Sequence, residues 1–328
     1  MNNQELLVST YQKLGVIVSD IETITPTIKR FTLIPDENTQ LPSFTSGSHL
    51  FVQMQDDDNH YSNAYSLLNS PFDEQRYQIA VKRGEHSRGG SAFMHKKVAI
   101  GNKLIVSEPN NLFALVPEAK KHILIAGGIG ITPFMSHLHE LQKQNAEYEL
   151  HYCYRNANDN AFTQELMASG FKDKIVCHIS SEGTRLELDT FISQLPEGSH
   201  VYTCGSNSLN DGVKQAAQKA GFPSHQLHFE QFTLEDKTGD TFTVFLAKSG
   251  VELEVDSEST ILQVIEKNKV VSVESLCREG VCGTCETMIL EGEADHRDQY
   301  FSDEEKQSQT SMLICCSRAK GRRLVLDL

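Results

Sequence analysis

The chain is short of positive charge. Against 44 Asp and Glu it sets 30 Lys and Arg, for a formal net charge of −14 and a pI near 5.4. Nucleic acid and anionic membrane surfaces both attract basic proteins, so neither is an expected partner. Long apolar runs are also missing: no stretch reaches the ~18 residues that a bilayer-spanning helix needs. The opening "MNNQELLVST" has neither the charged nor the apolar region of a secretory signal. The expected location is therefore the cytoplasm, where thiols stay reduced. That makes disulfides a poor use for the eight cysteines and metal chemistry a better one. Internal repeats and low-complexity tracts are absent, and 328 residues suffice for two or three domains.

What is present changes character twice along the chain. The first third alternates short apolar runs ("KLGVIVSDI", "IKRFTLIP", "SHLFVQMQ", "RYQIAVKR", "NKLIVSEP") with Pro, Gly, Asp and Asn. Regular short strands of this kind predict a sandwich or barrel. After Pro117 the pattern becomes strand–helix–strand, from "KKHILIAGG" and "TPFMSHLHELQKQ" through "HVYTCG" and "LNDGVKQAAQKAG". Such alternation predicts a parallel sheet. A polar stretch, "TLEDKTGD", then precedes a hairpin-like pair, "TFTVFLAKSGVELEV", and a helix, "TILQVIEKN". The expected domains are 1–115, 116–232 and 240–328.

The last of these carries "CREGVCGTC". Cys277, Cys282 and Cys285 have the spacing C-x4-C-x2-C, and "MLICC" supplies a distant fourth cysteine at Cys315 or Cys316. This is the plant-type 2Fe–2S spacing. Zinc ribbons use two C-x2-C pairs, and only one exists here. A zinc site or unliganded loop thiols are the alternatives. Gly280 and Gly283 suit a loop that must expose N–H groups to sulfur. "SDEE", Ser302 to Glu305, has capping-box spacing for a short helix, and the "DHRD" before it reads as a docking edge or a solvated loop.

In "ILIAGGIGITPF" glycines follow an apolar strand. Gly127, Gly128 and Gly130 remove side chains where a pyrophosphate must approach backbone, and Thr132 and Pro133 suit a helix start that attracts anions. A tight strand–helix turn is the plainer reading. Cys204 and Gly205 close a later strand, where a buried core thiol is the plainer reading. Arg155, ending "HYCYR", suits a ribose 2′-phosphate or pairs locally. In the first third, Tyr65 and Ser66 of "NAYSLLNS" offer an aromatic face and a hydroxyl. The stretch "VKRGEHSRGGS" opens with Val81 and Lys82 and ends with Arg88, Gly89, Gly90 and Ser91. These last four supply a cation, bare N–H groups and a hydroxyl, either a phosphate nest or a surface turn.

Together these motifs resemble the phthalate dioxygenase reductase family. The resemblance implies an antiparallel β-barrel flavin domain, a doubly wound parallel-sheet NAD domain and a C-terminal β-grasp plant-type ferredoxin domain. It implies FMN, NADH and a 2Fe–2S cluster as cofactors, with Cys315, which closes an L-x-C turn, as the fourth ligand and Cys316 as its neighbour. The glycine turn resembles the family's G-x-G-x-x-P form, and Cys204–Gly205 its Cys-Gly pair beside the nicotinamide, with Ser206 in place of the usual Pro. Tyr65 and Ser66 match the end of the flavin motif R-x-Y-S, where Asn63 stands in place of Arg. Gly89, Gly90 and Ser91 match the FMN phosphate loop. The family likeness also puts Thr132 and Phe232 near the isoalloxazine and Glu230 near the hydride-transfer site. Because the cofactors carry the chemistry, the candidate catalytic residues Thr132, Cys204 and Glu230 are positioning groups. The implied function is an NADH-dependent reductase passing electrons to a Rieske-type oxygenase. "YSNAYSLLNSP", "CREGVCGTCE" and "EGEADHRDQYFSDEE" resemble members that serve carnitine oxidation. A reductase for another oxygenase or demethylase, and a zinc-stabilised nucleotide-binding regulator, are the competing readings.

Overall fold

The computed structural model describes residues 13–37, 40–56, 59–84, 89–156, 160–232, 238–298 and 300–328. Arg88 lies outside them. The chain divides into two compact units, Lys13–Phe232 and the residues from Thr233 onward.

The larger unit begins with a six-stranded antiparallel sheet in the order β4-β3-β6-β1-β2-β5. Its strands are β1 (Lys13–Thr25), β2 (Ile28–Pro35), β3 (His49–Asp56), β4 (Asn59–Ser66), β5 (Tyr77–Lys82) and β6 (Lys103–Ser107). Alternation turns Val16, Val18, Leu50, Val52 and Ile79 to one interior. Two register shifts in β1 bend this 13-residue strand. The edges meet at a bridge between Leu67 and Ile79, which nearly closes the barrel. Helix α1 (Gly90–Lys96) follows β5 in the chain and buries Met94.

A five-stranded parallel sheet follows, in the order β11-β10-β7-β8-β9. It comprises β7 (Lys121–Gly127), β8 (Tyr148–Tyr154), β9 (Ile175–Ile179), β10 (Ser199–Cys204) and β11 (Leu227–Glu230). Helix α2 (Thr132–Gln144) puts Phe134, Leu138 and Leu141 into the core on one face, near α3 (Thr163–Ala168). Helices α4 (Leu188–Ser193) and α5 (Asn207–Ala220) cover Ile123, Ile125 and Val201 on the other. The sheet is thus doubly wound. One apolar cluster joins Ile28, Leu68 and Ala80 of the barrel, through Phe113, to Leu124, Phe134 and Tyr202 of the α/β layers. Both sheets therefore belong to one compact unit.

The smaller unit is a β-grasp. Its five-stranded sheet has the order β13-β12-β18-β14-β16. The hairpin β12 (Phe242–Leu246) and β13 (Val251–Val255) is followed by α6 (Ile261–Asn268), β14 (Glu286–Glu291), β15 (Ala294–Asp295), α7 (Asp303–Ser308), β16 (Ser311–Leu313), β17 (Arg318–Ala319) and β18 (Arg323–Leu326). The last strand runs parallel to the first, β12. Ser302 and Glu305 form the expected capping box on α7, and Thr260 and Gln263 form a second on α6. The "DHRD" stretch is only partly solvated: Asp295, His296 and Arg297 are half-buried. Asp298 is fully buried, accepting from Phe301 N–H and from the Ser317 hydroxyl, with the His296 ring 3.3 Å away.

Candidate functional site

In the parallel sheet the chain leaves the central β7 toward β8 and β9, then returns to its other side with β10 and β11. The carboxyl ends of β7 and β10 therefore form a topological switch point, where a crevice opens for ligands. Gly127, Gly130 and Gly205 meet there. A Cβ on Gly130 would lie 2.2 Å from the Cys204 carbonyl oxygen, and one on Gly205 would lie 3.0 Å from the Gly127 Cα. These glycines let the two loops touch, a packing requirement that the sequence alone does not disclose. Gly128 is different: its φ is +54° and nothing lies within 4 Å of a Cβ there. Pro133 stands in the first turn of α2, and the buried Thr132 donates its hydroxyl to the Ile129 carbonyl. Ser206, in place of the family's Pro, N-caps α5 by accepting from Leu209 N–H. Two helix N-termini thus open at the crevice, a favourable setting for a pyrophosphate. Arg155 is exposed just past β8, and its carbonyl accepts from Ser181 N–H.

Three side chains from separate strands converge nearby. Cys204 on β10 and Glu230 on β11 are register partners, with Sγ 3.8 Å from Oε2. Ser66, ending β4 of the barrel, faces the same carboxyl. Burial pushes the Glu230 carboxyl up to about 8. Burial, then the neighbouring Glu230, also pushes the Cys204 thiol well above its ordinary value. Both shifts favour the neutral forms of the carboxyl and the thiol. Phe232, two residues beyond, is 42% exposed and is not drawn into this cluster.

At the barrel edge, Tyr65 Oη and Ser66 Oγ are buried, facing the Asn63 side chain and the Glu230 carboxyl without meeting hydrogen-bond geometry. Burial pushes the Tyr65 hydroxyl up. Buried polar atoms left short of a good hydrogen bond are what a flavin edge would satisfy. Val81 is part of the barrel interior, and its carbonyl accepts from His95 Nε2; Lys82 is exposed. Gly89 (φ +118°) leads into α1, and the Ser91 hydroxyl accepts from Gly84 N–H. A Cβ on Gly90 would lie 2.3 Å from the Asn63 side-chain oxygen, and one on Gly89 would lie 2.4 Å from the Tyr61 ring. Asn63 thus packs directly against the loop that follows β5, a contact that sequence spacing does not disclose.

In the β-grasp unit, Cys277, Cys282, Cys285 and Cys315 are all at most 2% exposed. Backbone N–H groups of Glu279, Val281 and Cys282 point at Cys277 Sγ from 3.3, 3.5 and 3.4 Å. Gly280 N–H points at Cys315 Sγ from 3.3 Å, and Cys277 N–H at Cys282 Sγ from 3.4 Å. The thiols also crowd one another: the Cys285 thiol is pushed well up, first by its side-chain hydrogen bond with Cys315 and then by burial. A bound cation would relieve the repulsion among these sulfurs as thiolates, and a four-cysteine donor set can hold one. Cys316 is also buried, its sulfur 3.8 Å from the Leu313 carbonyl oxygen and 2.5 Å from where a Gly280 Cβ would stand.

Comparison with known proteins agrees with this arrangement. A family model described as "2Fe-2S iron-sulfur cluster binding domain" matches residues 244–320. Another, "Dimethylamine monooxygenase subunit DmmA-like, N-terminal domain", matches residues 104–227. The carnitine monooxygenase reductase subunit of Escherichia coli (strain K12) is 59% identical over 98% of this chain and 100% of its own length. The heme-dependent oxidative N-demethylase beta subunit of Ectopseudomonas mendocina (strain ymp) is 39% identical over 96% of this chain and 99% of its own. Phthalate dioxygenase reductase, a solved structure described as modular for electron transfer from pyridine nucleotides to [2Fe-2S], is 34% identical. It superposes with a TM-score of 0.78 over 97% of this chain and 98% of its own. The chain therefore belongs to the phthalate dioxygenase reductase-type family of oxygenase reductase subunits.

Proposed function

We propose that this protein takes electrons from NADH and delivers them singly to a Rieske-type oxygenase that oxidises carnitine. Its 59% identity to a carnitine monooxygenase reductase subunit, over nearly the whole chain, carries the substrate reading. Bound FMN and a 2Fe–2S cluster supply the conversion of a two-electron hydride into single electrons. The protein's part is to bind, orient and keep dry. Gly128, Pro133 and the N-termini of α2 and α5 would hold the NADH pyrophosphate, with Arg155 near the ribose. Cys204, Glu230 and Ser66 would frame the nicotinamide and flavin edge with neutral groups. Thr132, Phe232, Tyr65, Val81, Lys82, Arg88, Gly89, Gly90 and Ser91 complete the proposed FMN site. Cys277, Cys282, Cys285 and Cys315 would hold the cluster. A cytoplasmic setting suits eight cysteines that are all free thiols.

A heme-dependent partner is the second reading, favoured by the 39% identity to an N-demethylase subunit. Purified protein should show flavin and 2Fe–2S absorbance that bleaches with NADH. NADH consumption is then measured with a Rieske carnitine oxygenase, with and without carnitine. Failure of carnitine to couple NADH use to its own oxidation would reject the substrate reading.

A further inference from the structure

The cysteine loop passes through the left-handed region of backbone space at Arg278 (φ 58°), Gly280 (φ 68°) and Gly283 (φ 77°). Glycine does this without steric cost. Arg278 carries a Cβ, and such a residue stays left-handed only where its surroundings over-determine it. Its side chain is held in a bidentate ion pair. Nη2 and Nη1 of Arg278 donate to Oε1 and Oε2 of Glu266 at 2.5 and 3.1 Å. Glu266 stands in the last turn of α6, the end of a helix that disfavours negative charge. The arginine, not the helix, accounts for an acid there. Both side chains are partly shielded, at 24% and 36% exposure, which suits a planar, two-point pairing.

The turn at Arg278 determines where the following N–H groups point. Those of Glu279, Val281 and Cys282 face Cys277 Sγ, and that of Gly280 faces Cys315 Sγ. We infer that the Arg278–Glu266 pair is a positioning device for the 2Fe–2S centre, fixing the loop so that these N–H groups meet ligand sulfurs and set its reduction potential. The inference rests on the ligand assignment proposed above. N–H donors stabilise negative charge on sulfur and so favour the form that has gained an electron. Loosening the loop should make that form less favourable.

The test uses the full chain loaded with FMN and cluster, and the variants Glu266→Gln, Arg278→Gly and Arg278→Ala. Visible absorbance gives cluster content, and redox titration gives the potential. Glu266→Gln removes the charge while keeping size and helix propensity. It should retain its cluster, with the reduced-to-oxidised ratio at fixed potential lowered roughly tenfold, equivalent to ~59 mV for one electron. Arg278→Gly, which meets the backbone requirement, should keep more cluster than Arg278→Ala. An unshifted potential in Glu266→Gln, or equal cluster content in the Gly and Ala variants, would overturn the inference alone. Absence of 2Fe–2S absorbance from the unmodified protein would overturn the ligand assignment beneath it.

Discussion

Glu230 spends the folded state as a neutral acid. Its carboxyl rises from 4.5 to about 8 because it is buried between Cys204 and Ser66. Between those values the folded chain holds a proton that the unfolded chain has lost. Its contribution to stability therefore falls as pH rises through this window and is level above it. Glu230→Gln lacks that proton exchange. The gap in urea midpoint between variant and parent should widen in the variant's favour from about pH 5 to about pH 8; parallel curves would contradict the burial argument. At the cysteines, Cys315→Ser should abolish cluster absorbance while Cys316→Ser spares it, because Gly280 N–H addresses the first while the second has the Leu313 carbonyl and the Ser317 hydroxyl as its partners. The grouping of Cys277, Cys282 and Cys285 was legible because spacing within a single loop is a local property, whereas the choice of Cys315, thirty residues on, rested on family resemblance. The environment of Glu230 was not legible, since burial arises only when β4, β10 and β11 come together. Asn63 against Gly90 and Arg278 against Glu266 escaped for the same reason.

At the level of elements, the glycine turn separates two roles that look alike in "AGGIG". Gly130→Ala would drive a methyl into the Cys204 carbonyl, so it should cost about 3 kcal/mol or more in denaturant stability. Gly128→Ala meets open space with a left-handed φ and should cost only about 1 kcal/mol. Equal costs would mean that the two loops do not touch as described. The cap on α6 offers a smaller test: Thr260→Ala removes the side-chain acceptor of Gln263 N–H, a loss of about 1 kcal/mol. Elements with strong periodicity were legible, among them β2, α2 and the β12–β13 pair. The missed ones have physical excuses. Strand β4 reads "NHYSNAYS", with little apolar alternation, and β11 is four residues long. The strands β15 and β17 have two residues each and exist only because they pair with each other.

For the molecule as a whole, acid should be the harsher challenge. Burial lowers His49, His122 and His228 to about 4 and His137 to about 3, from 6.5. Each binds a proton more readily unfolded than folded across that window. Their stability is present above pH 6.5 and lost as pH falls toward 4. They outnumber Glu230, whose trend is opposite. All four lie in the unit Lys13–Phe232, so flavin release should occur at lower temperature at pH 5 than at pH 7. An unchanged release temperature would refute the neutral-imidazole account. The apolar cluster from Ile28 through Phe113 to Tyr202 has a consequence for how such proteins diversify. A genetic crossover between barrel and parallel sheet would have to rebuild a shared interior in one step. One near residue 233 falls between the two compact units. Recombination should therefore trade the β-grasp cassette freely among relatives while inheriting the flavin and nucleotide modules as an indivisible pair.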